Sequence, residues 1–389
     1  MRVLFPNSFF FLGDGIMEDF VGFGALGESL VWLEKQNYAR PFVVASAAGW
    51  ERFMAGKRPF FSTRSPVVFS DFAPNPDFRD IQKGVAAFEA ANPDVIIALG
   101  GGSPIDTAKV IKAVMFTKET YDPTQPSGLK PSGDGPPVVA VATTAGSGAE
   151  ATQFAIFYTG ETKQSIAHPS LRPDVAVVDP ELTYSVSPHQ TAATGFDALS
   201  HAVESFWSSS TTPEAQELSE KAIGYALHNL YNAVHSPSPA NRYNMAMAAY
   251  LAGKAINITR TTLPHALAYH LTKRYGLSHG HAVALSVPYA FLINMDKKLP
   301  VNMPGGREQV DDSMRRLISL LGQKTADDCF VFWRNLMHHS GLASTYSEIG
   351  IQTTEQVEAL IDSVDPERMQ NHPVMVTKEY LIDLLASHP

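Results

Sequence analysis

Four short runs of uninterrupted apolar residues constrain this chain most: Phe42-Val43-Val44-Ala45, Val95-Ile96-Ile97-Ala98-Leu99, Val138-Val139-Ala140-Val141 and Val175-Ala176-Val177-Val178. A strand with one wet face alternates apolar and polar residues. A run without alternation is covered on both faces, the condition of a strand inside a parallel sheet. Helical stretches separate the runs, so residues 1–187 are expected to form a doubly wound α/β domain with a mostly parallel sheet. Gln153 to Tyr158 is expected to add a strand or hairpin arm, and Gly/Pro-rich Ser127 to Pro137 an exposed loop. After Asp179-Pro180-Glu181-Leu182 strand-like runs become scarce. Glu214 to Val234, Arg242 to Ile258 and Arg307 to Leu321 carry apolar residues at helical spacing, so residues 188–389 are expected to form an all-α domain.

The formal net charge of -9 argues against a general nucleic-acid or anionic-membrane binder, because such surfaces collect Lys and Arg to neutralise phosphate. An anionic ligand must then meet a local cationic cluster. The single cysteine, Cys329, permits no intramolecular disulfide and no thiolate metal cage, which suits a reducing, cytoplasmic setting. Metal chemistry must rest on His and carboxylates. At the N-terminus Arg2 and the apolar stretch Phe9 to Leu12 meet Gly13-Asp14-Gly15 at once, too short for a leader, and no segment approaches the roughly 20 apolar residues of a membrane helix.

The run Val95 to Leu99 leads into Gly100-Gly101-Gly102-Ser103-Pro104-Ile105-Asp106 and then the helical Thr107 to Val114. Glycines let main-chain N–H groups approach an anion closely. Ser103 is expected to cap the helix, with Pro104 at its first position and Asp106 at the capping-box position. A helix N-terminus at the carboxyl edge of a parallel sheet can take a pyrophosphate; a well-capped strand-to-helix turn has the same sequence. A second small, hydroxylated loop, Thr143-Thr144-Ala145-Gly146-Ser147-Gly148-Ala149-Glu150, follows the next run, and two such loops can grip one dinucleotide. Neither is the GxGxxG fingerprint of the common dinucleotide fold.

In Gly195-Phe196-Asp197-Ala198-Leu199-Ser200-His201-Ala202-Val203-Glu204, Asp197 and His201 stand four apart, on one helix face, and Glu204 continues that face. An ordinary Asp–His surface pair has the same spacing. Four of the 13 histidines, His265, His270, His279 and His281, then fall in apolar sequence between residues 265 and 281. A buried imidazole needs a partner, which a metal or a polar neighbour can supply. One carboxylate with up to three imidazoles suits Zn²⁺ or Fe²⁺ and leaves a position open for substrate.

The order GGGSPIDTAK, TTAGSGAE, DPEL, GFDALSHAVE, PHALAYHL and SHGHAVAL resembles the iron-containing (group III) alcohol dehydrogenases over nearly the whole chain. That resemblance implies an N-terminal dinucleotide-binding domain, a helical metal-binding domain, NADH or NADPH as cofactor, and a homodimer. It implies Asp197, His201, His265 and His279 as metal ligands and catalytic residues, the last two keeping the family's separation of 14. Gly100, Gly101, Gly102, Ser103 and Asp106 fall on its pyrophosphate loop, Thr143, Thr144 and Ser147 on its second cofactor loop, and Lys163 where a lysine often lies close to the cofactor.

Three departures refine the expectation. Many members carry a second histidine ten residues before the last ligand; here Tyr269 stands there, and His270 one step on is turned by about 100° around the helix. After Phe42 to Ala45, where NAD-preferring members carry an aspartate for the ribose, this chain has Ser46 and Ala47, so NADPH is tolerated. Around His265 and His279 the sequence is most similar to the phosphonoacetaldehyde reductases of this family. Arg260, Lys273 and Arg274 flank His265 and are expected, with Tyr269, to meet a phosphonate-bearing aldehyde, although single surface cations are common. The expected reaction is reduction of phosphonoacetaldehyde to 2-hydroxyethylphosphonate. The alternatives are a general alcohol, lactaldehyde or 1,3-propanediol dehydrogenase, a lyase similar to dehydroquinate synthase, and a non-catalytic nucleotide-binding protein.

Overall fold

A computed structural model describes residues 18–56, 58–119, 122, 126–160, 162–364 and 369–388; Arg2 and the stretch Phe9 to Leu12 lie outside them. The chain divides into two compact units, Met1–Thr144 with Gly148–Ser185 and Ala145–Ser147 with Val186–Pro389.

The first unit contains β1 (Glu18–Val21), β2 (Pro41–Ala45), β3 (Val67–Phe69), β4 (Val95–Gly100), β5 (Val138–Ala142), β6 (Phe154–Thr159), β7 (Thr162–Ala167) and β8 (Val175–Val178). Six of them form a sheet of order β1-β8-β5-β4-β2-β3, parallel at every pairing. Its helices are α1 (Ala25–Lys35), α2 (Ala47–Met54), α3 (Pro59–Ser62), α4 (Phe78–Ala91) and α5 (Gly102–Met115). Successive side chains of a strand point to opposite faces. Phe42, Val44, Ile96, Ala98 and Ala140 accordingly pack with Ile81 and Phe88 of α4 and Ile105 of α5, while Val43, Val95, Ile97 and Val139 pack with Leu26, Leu30 and Leu33 of α1 and Phe60 of α3. Both faces are covered, which is why the strand sequences do not alternate.

β6 and β7 form the antiparallel hairpin of which Gln153 to Tyr158 marked one arm. β1 and β3 carry no such apolar signal: β1 opens on Glu18 and Asp19, and β3 has three residues, with Val67 partly in solvent. Both lie at sheet edges, where a strand need not be apolar throughout. The Ser127 to Pro137 loop is pinned, with Leu129 buried and Thr117 bridged to Pro131.

The second unit is helical: α6 (Pro188–Trp207), α7 (Pro213–His235), α8 (Pro239–Thr259), α9 (Leu263–Tyr275), α10 (His279–Met295), α11 (Gly306–Leu320), α12 (Ala326–His339), α13 (Thr354–Asp362) and α14 (Lys378–Ser387). α6, α7 and α8 each begin with proline, whose missing N–H costs nothing at that position. The preceding Ser187, Thr212 and Ser238 accept from the backbone N–H groups of Gln190, Ala215 and Asn241. α6 is buried almost all round from Thr191 to Trp207, and α7, α8 and α10 pack about it. Among the described residues no helix is long and apolar enough to cross a membrane.

Candidate metal centre and cofactor loops

Asp197, His201 and Glu204 line one face of α6, each at most 5% exposed. α9 supplies His265 from its first turn, and His279 opens α10. The next residue, Gly280, lets α10 reach α6: a Cβ there would lie 2.1 Å from the Ala193 carbonyl oxygen and 2.6 Å from Asp197 Cβ. Only a residue without a side chain fits that contact, and it seats His279 beside Asp197.

One ligand atom from each of Asp197, His265 and His279 lies within 4.8 Å of the others. Asp197 Oδ1 is 3.7 Å from His265 Nε2 and 3.9 Å from His201 Nε2. The His201 and His265 rings stack with centroids 4.6 Å apart, and His279 meets His265 edge-on at 5.4 Å. His201 thus lies at the rim of the tight triplet. Asp197 Oδ1 and the His265 Nε2 that faces it are buried without a hydrogen-bond partner. Buried polar atoms are nearly always satisfied, so an unpartnered carboxylate oxygen and imidazole nitrogen facing each other beside His279 form a group that could hold a cation. A carboxylate with imidazoles is the donor set of a divalent Fe or Zn site, and the residues fit such an ion.

Without an ion, the buried carboxylates and imidazoles act on one another. Burial alone would raise the Asp197 carboxyl, but the surrounding imidazoles hold it far below the usual carboxylate range. Burial pushes the His201 ring down to about 4 against the pull of Asp197. At His265 burial is outweighed by Glu204 and Asp197, which raise its pKa. Sequence reading placed Glu204 on the right face but gave it no role. Its carboxylate is fully buried and accepts from His265 Nδ1, and from Thr262 N and Oγ1, both at 2.8 Å.

His270 and His281 stand apart from the cluster. His270 lies against Tyr275, and burial and then Arg274 lower its pKa. His281 Nε2 pairs with the Ala343 carbonyl at 2.8 Å, the ordinary partner of a core histidine. Tyr269, one turn beyond His265, holds its ring parallel to that of His279 with centroids 6.2 Å apart. Arg260 is an exposed non-glycine residue at φ 60°, ψ -176°, a conformation that persists only when its surroundings impose it. They do: Asn371 Nδ2 donates to the carbonyls of Thr259 and Thr261 on either side, and Thr259 Oγ1 bonds Ser205. Lys273 and Arg274 are exposed in the last turn of α9. About 15 Å of helix axis separates that turn from the start of α9 next to Arg260. Cations at a helix C-terminus are favoured there by the macrodipole.

In the first unit the glycine loop behaves differently from its sequence reading. α5 starts at Gly102, with Gly101 as N-cap and no side-chain cap bond. Ser103 therefore sits inside the first turn and its Oγ accepts from Asn75 N at 3.1 Å. The half-buried Asp106 accepts from Ile156 N on β6 at 3.1 Å rather than closing a capping box. Gly100, at φ 150°, makes the early start possible. No side chain at the start of α5 caps its first-turn N–H groups. Thr143 N donates to the Gly100 carbonyl, and Thr144 Oγ1 stands 2.8 Å from where a Gly101 Cβ would be, so the two loops touch. Ser147 belongs to the second unit. Lys163 pairs across the hairpin with Tyr158 and acts electrostatically on Asp106. Ser46 caps α2 through Gly49 N and places no carboxylate after β2. A cavity of about 600 Å³ in this unit, lined by Leu26, Arg58, Phe60 and Leu182 among others, includes none of the predicted loop residues.

The sequence profile of the iron-containing alcohol dehydrogenases matches residues 19–180, and that of the C-terminal part of the same family matches residues 191–388. Long-chain-alcohol dehydrogenase 1 of Geobacillus thermodenitrificans is 37% identical over 229 residues, 57% of either chain. The 1,3-propanediol dehydrogenase of Klebsiella pneumoniae is 37% identical over 233 residues, 59% of this chain and 60% of that protein. In these alignments the chain spans somewhat over half the length of each relative. Among solved structures, sulfoacetaldehyde reductase from Bifidobacterium kashiwanohense in complex with NAD+ superposes with a TM-score of 0.84 at 27% identity, covering 96% of this chain and 98% of that one. The iron-containing alcohol dehydrogenase of Thermotoga maritima gives 0.80 at 26% identity, covering 95% and 97%. Because the two profiles match in order and take in both glycine loops and the Asp197 to His279 cluster, the chain belongs to the iron-containing alcohol dehydrogenase family.

Proposed function

We propose that the protein is a metal-dependent oxidoreductase that reduces a small anionic aldehyde with NADH or NADPH. The observation that carries this reading is the clustering of one ligand atom each from Asp197 on α6, His265 on α9 and His279 on α10 within 4.8 Å, with Asp197 Oδ1 and His265 Nε2 buried and without a hydrogen-bond partner. Asp197, His201, His265 and His279 would hold Fe²⁺ or Zn²⁺, the Asp197 carboxylate offsetting part of its charge. The dinucleotide's pyrophosphate would lie on the first turn of α5, against Gly100, Gly101, Gly102 and Ser103, with Thr143, Thr144 and Lys163 completing its contacts and Asp106 holding β6 beside them. Ser46 repels no 2′-phosphate, so both cofactors are accepted. When bound, the metal supplies Lewis-acid polarisation of a carbonyl oxygen and the nicotinamide supplies hydride. Tyr269, stacked on His279, offers the substrate a phenol hydroxyl.

For the substrate we propose phosphonoacetaldehyde, reduced to 2-hydroxyethylphosphonate. Arg260 supports this: a strained backbone held from both sides presents an arginine in a protein of net charge -9. The similarity to a reductase of another two-carbon anionic aldehyde points the same way. The 37% identity to long-chain-alcohol and 1,3-propanediol dehydrogenases favours a second reading, an alcohol dehydrogenase for uncharged substrates.

A kinetic comparison decides between them. Arg260→Ala is expected to raise KM for phosphonoacetaldehyde by about 10- to 100-fold, the loss of a charge-assisted contact, and to leave an uncharged aldehyde of similar size within about twofold. Equal effects on both substrates favour the second reading. His265→Ala is expected to lose bound metal and turnover together, and full metal occupancy in that variant would remove His265 from the ligand set.

A further inference from the structure

Glu204 is a fully buried carboxylate whose two oxygens are both engaged. It has no solvent exposure, and its three partners are all donors. Oε1 accepts from Thr262 N and Thr262 Oγ1, each at 2.8 Å, and Oε2 accepts from His265 Nδ1. Trp207 Nε1 adds a 3.0 Å bond to Thr262 Oγ1. Thr262 precedes α9 without capping it through its own side chain, so one carboxylate fixes both the start of that helix and the ring of its third residue. The consequence at the ring is specific. With Nδ1–H donated to Glu204, the lone pair of His265 is left on Nε2, the buried atom without a partner that faces Asp197 Oδ1 at 3.7 Å.

We infer that Glu204 is a positioning residue for the metal centre, selecting the His265 tautomer that can bind a cation and raising the basicity of Nε2. This rests on the metal-site reading proposed above. A carboxylate is required because it accepts at both ends. An amide accepts at only one, so Gln at 204 must present an N–H either to Thr262 or to His265 Nδ1. In the second case the ring carries its proton on Nε2 and loses its lone pair for the metal.

The test compares Zn²⁺ affinity, by chelator competition, in wild type, E204Q and His265→Ala, with folding checked by circular dichroism. Glu204→Gln is expected to weaken binding by about 10- to 100-fold while the protein stays folded, and Glu204→Asp, which keeps the charge, to recover part of the loss. A merely structural role lowers the urea midpoint and leaves the affinity of the folded protein within twofold, an outcome that overturns the inference provided His265→Ala has lost the metal. If His265→Ala also retains the metal, the metal-site reading itself fails. Should E204Q not fold, Co²⁺-loaded wild type gives the answer. Its His265 Nδ1–H, buried against Glu204, is expected as a hyperfine-shifted proton that survives in water, and rapid exchange of that signal overturns the assignment.

Discussion

Gly280 leaves no room for a methyl group, since its missing Cβ would stand 2.1 Å from a backbone oxygen that cannot rotate away. An alanine there must push the start of α10 off α6, and His279 moves with it. Gly280→Ala is expected to cost about 1–3 kcal/mol in urea unfolding and to lower the metal content of the purified protein. Wild-type stability with full metal would show that this contact does not seat His279. The same residue explains where sequence reading of the site stopped. Helical spacing placed Asp197, His201 and Glu204 on one face, because that is a local property of α6. The choice among His265, His270, His279 and His281 turns on a contact between Gly280 and Ala193, distant in sequence, and was reached by resemblance instead. His281, which looks equivalent in sequence, spends its ring nitrogen on the Ala343 carbonyl.

α5 holds two parts of the first unit in register. Its first turn is the glycine loop, and from its second turn Lys109, fully buried, donates to the carbonyls of Ala149 at 2.7 Å, Thr152 at 2.8 Å and Phe154 at 3.0 Å. Those residues run from the end of the second loop into the start of β6. Burial pushes the ammonium down to about 8, against the pull of Asp106 and Glu150. Lys109→Met leaves three buried carbonyls without a donor and is expected to cost about 3 kcal/mol in urea unfolding. It is also expected to raise KM for NADH more than it lowers kcat, and unchanged KM would mean that the loops keep their register without it. At this scale the sequence was informative wherever a pattern is local: the four buried strands and the long helices lie where apolar runs and helical spacing put them. It failed where tertiary contacts decide. Nothing local in the sequence marks Lys109 as buried except the apolar company of Ala108, Val110 and Ile111. Ser103 reads as a cap because Ser before Pro usually is one, yet the helix begins a residue before it and its hydroxyl serves Asn75.

Across the whole molecule the two units carry buried ionisable groups of opposite pH response. In the first, burial raises the Glu150 carboxyl to about 7, with Lys109 opposing it. Between the ordinary carboxylate value of 4.5 and about 7 the folded form holds a proton on Glu150 that the unfolded chain has lost, so this contribution falls as pH rises through that window. In the second unit His372 is 1% exposed, neither ring nitrogen has a partner, and burial lowers its pKa to about 4. Between about 4 and 6.5 the unfolded chain binds a proton that the folded form does not, so this contribution grows with pH. Urea unfolding of wild type, Glu150→Gln and His372→Leu at pH 5 and pH 7 separates the two, because comparison between variants cancels what the metal cluster contributes to all three. From pH 5 to pH 7, Glu150→Gln is expected to gain more stability than wild type, having no carboxyl to ionise in the core. His372→Leu is expected to gain less, having no imidazole to discharge. Equal changes in all three proteins would mean that neither group stays buried in its folded unit as the structure has it, and the acid sensitivity of the chain would then belong to its surface.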